Sequence, residues 1–206
     1  MITDNQLKTE KDFELLPDPE RIVNGLRDTG YNFNTAVADI VDNSIAANAT
    51  KINIDVIMDP SMAIKVYFAD NGCGMDLDGL KNAMKYGSKE RLEKNSLGKF
   101  GLGLKTASTA FCKQFSLISR DSADSPLRKA QWDLDYISQN GSWLLQFPVI
   151  DPDEEDMLEL IAEGSSGTLL VWDMKGVQKN VGWDKKKTAR GALRVAYTSV
   201  KKRVNV

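Results

Sequence analysis

The chain has 206 residues, enough for one substantial core and short for two. Its formal net charge of −2 gives no whole-chain case for nucleic acid, and it contains no histidine. That absence excludes Ser-His-Asp and Cys-His nucleophilic catalysis, histidine-ligated zinc and a histidine phosphoacceptor.

Residues 1–19 read as an irregular arm ending in "LPDP", and 20–28 as a short helix. Phe33, Val37, Ile40, Val41 and Ile45 recur at about 100° per residue, predicting a helix from 33 to about 47 capped by Asn34 or Thr35. "KINIDVIM" and "AIKVYFAD" alternate apolar and polar positions around a "DPS" turn, predicting a hairpin over 51–69. The glycine-containing loop "DNGCGMD" follows, then a short helix near 77–85 and a polar, loop-like stretch over 86–97. A helix should start within "SLGKFGLGLKTAS" (96–108) and run to about Cys112. Strands are expected at 113–120, 128–136, 142–148 and 167–174, with an acidic helix near 153–162 and a basic final helix over 187–203. Helix, hairpin, helix and then successive strands predict an α+β layer with helices on one sheet face. Two cysteines are too few for a disulfide framework. Nothing resembles a signal peptide, and no apolar run approaches the ~20 residues of a bilayer span, so a cytoplasmic protein without membrane contact is expected. The basic run "KKKTARGALRVAYTSVKKR" is read as a solvated face or linker, with a nucleic-acid patch as the alternative.

Four groups of residues carry chemistry. Asp39 and Asn43 are one turn apart on the early helix, at the edge of its apolar arc, with Ala46 and Ala47 leaving space beyond them. They are either a half-exposed polar pair or a carboxylate base beside an amide oxygen, a hard ligand for Mg²⁺. In "ADNGCGMD", Asp70 ends a strand, and Gly72 and Gly74 either make a plain turn or clear space for a flat ligand. A calcium-type loop is excluded there, because the positions two and four after Asp70 are glycines. Gly98, Gly101 and Gly103 either pack helices closely or expose amides at a helix start, where anions bind, with Lys105 adding a positive charge. Thr168 follows Gly167 and opens a strand, which alone says nothing.

The order acid-x-x-x-Asn, D-x-G-x-G, G-x-x-G-x-G and then G-T resembles the GHKL ATPases, the superfamily of DNA gyrase, heat-shock-ninety chaperones, histidine kinases and MutL. The resemblance covers about residues 20–175 and implies the Bergerat fold, a two-layer α/β sandwich with a mixed, mostly antiparallel sheet and helices on one face. "DIVDNSIAANATKI" looks like MutL, whereas "DNGCGMD", "YGSKER" and "GKFGLGLKTAS" look like the MORC ATPases and their bacterial relatives.

That resemblance implies ATP (or ADP) and Mg²⁺ as ligands. Asp70 would accept from the adenine amino group, Thr168 would support the same edge, and Gly72, Gly74 and Met75 would line the base pocket opposite Ala47. Asn43 would hold Mg²⁺. Gly98, Lys99, Phe100, Gly101, Leu102, Gly103, Leu104 and Lys105 would cover the phosphates. The stretch 86–97 would be an ATP lid with Ser88 and Lys89 as phosphate contacts. Asp39 occupies the general-base position, where the family usually has glutamate. Aspartate is shorter by about 1.5 Å, and such a displacement can cost on the order of a hundredfold in rate. Asp42 projects from another side of the helix and is a poor substitute. The relatives supply a phosphate-reaching lysine from a following domain. Residues 176–206 are expected to be a basic helix or the start of that domain, and the chain a truncated piece or a stand-alone domain with weak turnover in isolation. An ATP-dependent homodimer and DNA contact are implied for the full-length protein. The alternative is a module that senses ATP without hydrolysing it.

Overall fold

A computed structural model describes residues 17–28, 30–58, 63–86 and 103–174. The expected arm up to residue 16, the expected "DPS" turn, the expected lid beyond Tyr86, the glycine segment as far as Leu102 and the expected basic helix lie outside the described residues.

Helix α1 (Pro19–Arg27) opens on Asp18, whose carboxylate accepts from the Arg21 amide. Helix α2 (Phe33–Ala46) is capped by Asn32, not by Asn34 or Thr35: its side chain accepts from the Asn34 amide at 2.9 Å. The helix begins that early because Phe33 is part of the core, edge-on to Phe111 with ring centroids 5.2 Å apart. Strands β1 (Ile52–Met58) and β2 (Ile64–Asp70) form the expected hairpin. Helices α3 (Leu77–Met84) and α4 (Gly103–Phe111) precede β3 (Gln114–Arg120) and β4 (Arg128–Asp133). Helices α5 (Leu134–Asn140) and α6 (Pro152–Ala162) and strand β5 (Gly167–Asp173) complete the order.

The sheet runs β1-β2-β5-β3-β4, and every pairing is antiparallel, where a mixed and mostly antiparallel sheet was expected. Two expected strands change. The strand predicted over 128–136 stops at Asp133, whose side chain accepts from the Tyr136 amide and caps α5. The strand predicted over 142–148 is a single bridge between Gln131 and Gln146.

Alternation along the strands separates two apolar faces. Val66, Phe68, Phe115, Leu117, Leu170 and Trp172 share one core with α1 to α5. Tyr67, Ala69, Ile118, Leu169 and Val171 share a smaller one with Leu158 and Ala162 of α6. The α/β sandwich is therefore present as expected, and α6 adds a cover on its opposite face. That cover is fixed by the buried Lys129–Glu154 pair at 2.7 Å, with Glu154 also accepting from the Asp151 amide in a capping box. Among the described residues no helix is long and apolar enough to cross a membrane.

Candidate functional site

On the helix-covered face, the three central strands are apolar until their last register step. Phe68, Leu170 and Leu117 form one row; the next is Asp70, Thr168 and Ser119, with Thr168 opposite both of the others. A polar row at the end of an apolar face leaves hydrogen-bonding atoms where a ligand could meet them. Asp70 is buried, with 6% of its surface exposed. Its Oδ2 accepts from the Ser44 hydroxyl at 2.7 Å and its Oδ1 from the Gly72 amide at 2.9 Å. Burial pushes the Asp70 carboxyl above the ordinary range, and those two donors pull it partly back.

The loop after Asp70 is shaped by its glycines. A Cβ on Gly72 would stand 2.7 Å from the Ala47 Cβ, at the end of α2. The adjacent Cys73 amide donates to the Ala47 carbonyl at 2.9 Å. Gly74 has φ +62°, and a Cβ there would lie 1.8 Å from the Arg120 carbonyl oxygen. The Met75 amide then donates to Ser119 Oγ at 2.9 Å. Asp70, Gly72, Gly74, Met75, Ala47 and Thr168, widely spaced in the chain, are thus brought to one end of the sheet.

Asp39 and Asn43 lie two turns and one turn before Ala47, both half-buried. The Asn43 Nδ2 donates to the Asp39 carbonyl at 2.8 Å, which leaves its Oδ1 as the atom suited to a hard cation. Asp39 Oδ2 accepts from the Tyr31 hydroxyl. Burial, with that bond second, holds the Tyr31 phenol up at about 12. A Cβ on Gly103 would be 3.9 Å from Asp39 Oδ2, so α4 begins beside this carboxylate. From Asp39 to Ala47, α2 rises about 12 Å, on the scale of a nucleoside triphosphate.

Lys105 is placed unlike Gly103. It is 1% exposed, donates to the Ala83 carbonyl at 2.9 Å and is lowered by burial to about 8. It ties the end of α3 to the first turn of α4. Leu104 packs against the main core. At its other end α4 is held by Arg27, which donates to the Thr109 and Cys112 carbonyls at 3.0 Å each. Ser88, Lys89, Gly98, Lys99, Phe100, Gly101 and Leu102 lie outside the described residues.

Sequence reasoning missed Ser44, Ser119 and Tyr31. A signal existed for Ser119: it continues the period-two series of Phe115 and Leu117, so a hydroxyl stands where an apolar side chain was due. Ser44 gave a similar signal on the apolar arc of α2. Tyr31, in a connecting segment, gave none.

A family model described as "Histidine kinase-, DNA gyrase B-, and HSP90-like ATPase" matches residues 31–168. The chain is 34% identical to the mouse protein "ATPase MORC2B" over 89 residues, 41% of this chain and 9% of that protein. It is 28% identical over 141 residues to "Protein MICRORCHIDIA 1" of Arabidopsis thaliana, 64% of this chain and 22% of the relative. "Protein MICRORCHIDIA 3" of the same plant is 36% identical over 78 residues, 35% of this chain and 13% of the relative. The matched part thus spans only a small share of each relative. These proteins bear out the MORC side of the expected likeness and do not bear on the MutL side.

Proposed function

The chain belongs to the histidine kinase-, DNA gyrase B- and HSP90-like ATPase family, and from that premise we propose that it binds ATP along α2 and hydrolyses it slowly. The observation that carries the reading is the polar row closing the apolar face. Adenine would lie against Gly72, Gly74 and Met75, with Ala47 opposite, its amino group donating to Asp70 and the same edge supported by Thr168. The phosphates would then extend past Asn43 toward the start of α4, where a helix N-terminus favours anions and Lys105 ties the first turn to α3.

The donor set fits Mg²⁺ held by Asn43 Oδ1, which would neutralise charge on the triphosphate when bound. Among the described residues no group of three acidic, cysteine or histidine side chains could hold a metal, so phosphate oxygens and water would supply most ligands. Asp39 is the base in this reading. With Tyr31 donating to Oδ2, Oδ1 is the oxygen that would take the proton of the attacking water. In the longer protein we extend the proposal to closure of the 86–97 segment, ATP-dependent pairing of two copies and movement of a partner domain; DNA contact would belong to that longer protein.

A second reading, an ATP-sensing module without turnover, is favoured by the short Asp39 side chain. Phosphate release and ATP affinity, measured on a longer form of the protein, decide between the two. The hydrolytic reading expects Asp39→Ala to lower turnover about a hundredfold or more with affinity held, and Asp39→Glu to retain or raise it. Turnover unaffected by Asp39→Ala would remove Asp39 as base, and absence of turnover in every form would leave the sensing module.

A further inference from the structure

Ser119 does more than fill the end of β3. It is fully buried, and its single hydroxyl has three close polar neighbours. The Met75 amide donates to it at 2.9 Å, the Gly167 carbonyl oxygen lies at 2.8 Å, and Thr168 Oγ1 lies at 2.9 Å. A serine hydroxyl carries one proton and two lone pairs. An amide N–H can only donate and a carbonyl can only accept. The Ser119 proton therefore goes to Gly167, one lone pair takes the Met75 N–H, and the remaining lone pair can be satisfied only by the Thr168 proton. All three contacts close with one proton arrangement.

The consequence lies at Thr168. Its only proton is spent inward on Ser119, so toward the ligand space it shows lone pairs alone. Asp70, opposite it in the β2–β5 register, is held by two donors and likewise offers only acceptor capacity when ionised. We propose that Ser119 is a specificity-determining positioning residue: by fixing the Thr168 hydroxyl as an acceptor, it makes this end of the sheet select a purine with an amino group at position 6 against one with an oxo group. This rests on the ATP reading above and adds the residue that sets base selectivity without touching the base. A 6-oxo group in place of the amino group would set lone pairs against lone pairs in a buried place, and the proton that a 6-oxo purine carries on N1 lies at the neighbouring ring position, not at position 6.

The test is calorimetric titration of the chain with ATP and with inosine triphosphate, which differ in the 6-amino against the 6-oxo edge. The unaltered chain should prefer ATP. Ser119→Ala frees the Thr168 proton to turn outward, so the ATP-to-inosine-triphosphate affinity ratio should narrow by about tenfold. Thr168→Val, which leaves the Ser119 bonds to Gly167 and Met75 in place, should narrow it as well by removing the acceptor, and it serves if Ser119→Ala does not fold. Equal weakening of both nucleotides, or an unchanged ratio, in the folded variants overturns the inference. So does an unaltered chain that binds both nucleotides equally, with ATP binding itself intact. An unaltered chain that binds neither overturns the ATP reading and this inference together.

Discussion

Lys105 offers a quantitative check on how the turn at the start of α4 is built. A lysine held at about 8 instead of 10.5 costs the folded state about 3 kcal/mol at pH 7, at about 1.4 kcal/mol per unit. Because its folded pKa is depressed, this cost is fully present below pH 8 and is relieved as pH rises from about 8 to 10.5, where only the unfolded chain still carries the proton. Lys105→Met keeps an unbranched side chain of similar length and removes the charge. It also removes the hydrogen bonding of the side-chain nitrogen, the bond to the Ala83 carbonyl included, together worth about 1 kcal/mol. The variant should thus be more stable by about 2 kcal/mol at pH 7, a rise of about 4–8 °C in midpoint for a chain of this size. The advantage should vanish, and reverse by about 1 kcal/mol, once the native lysine is neutral in both states. Urea or thermal unfolding of both chains at pH 7, 8.5 and 10 measures the difference, and other titrating groups cancel between them. A stability difference that stays flat over that range would refute the reasoning, because it would mean that Lys105 keeps its proton in the core without penalty.

Further outcomes follow at the end of the sheet proposed to hold adenine. Gly74→Ala places a methyl 1.8 Å from the Arg120 carbonyl oxygen at φ +62°, and should destabilise the chain by several kcal/mol; a normal unfolding midpoint would show that the loop re-forms without its glycine. Nucleotide affinity should fall as pH drops through the raised pKa of Asp70, because the protonated carboxyl loses acceptor capacity, and this should begin above the 3.8 of an ordinary aspartate. Over the same window the ligand-free chain should gain stability from that group, since the folded state binds the proton more readily than the unfolded one. Affinity that is level down to the ordinary aspartate range would remove Asp70 as the base-reading group.

Much of this architecture was written locally in the chain. The period of α2, the alternation of β1 and β2, and the carboxylate followed by Gly72 and Gly74 are each set by neighbours within a few residues, so they could be read in order. The end of β4 could not. Trp132 and Leu134 both look strand-like, and the break depends on Asp133 choosing to cap a helix, a competition between two local options that packing of Leu134 and Ile137 settles. The acidic helix was found in place, but its position across the second face is a matter of how Tyr67, Ile118 and Leu169 align on three strands.

The candidate site divides in the same way. Asp39, Asn43 and Asp70 stood out because their residue types and spacings carry chemical meaning without any partner, whereas Thr168 was singled out only by its place in the order of the four motifs. What each atom can do was fixed by residues far away in the chain. Asp70 takes its donor from Ser44, 26 positions earlier, and Thr168 loses its outward proton to Ser119, 49 positions earlier. Lys105, which reads as a surface charge beside phosphate, is drawn into the core by the Ala83 carbonyl at the end of another helix. Spacing along a chain specifies which groups lie on one element, but proton direction and burial depend on atoms that only antiparallel register and helix packing bring within 3 Å of one another.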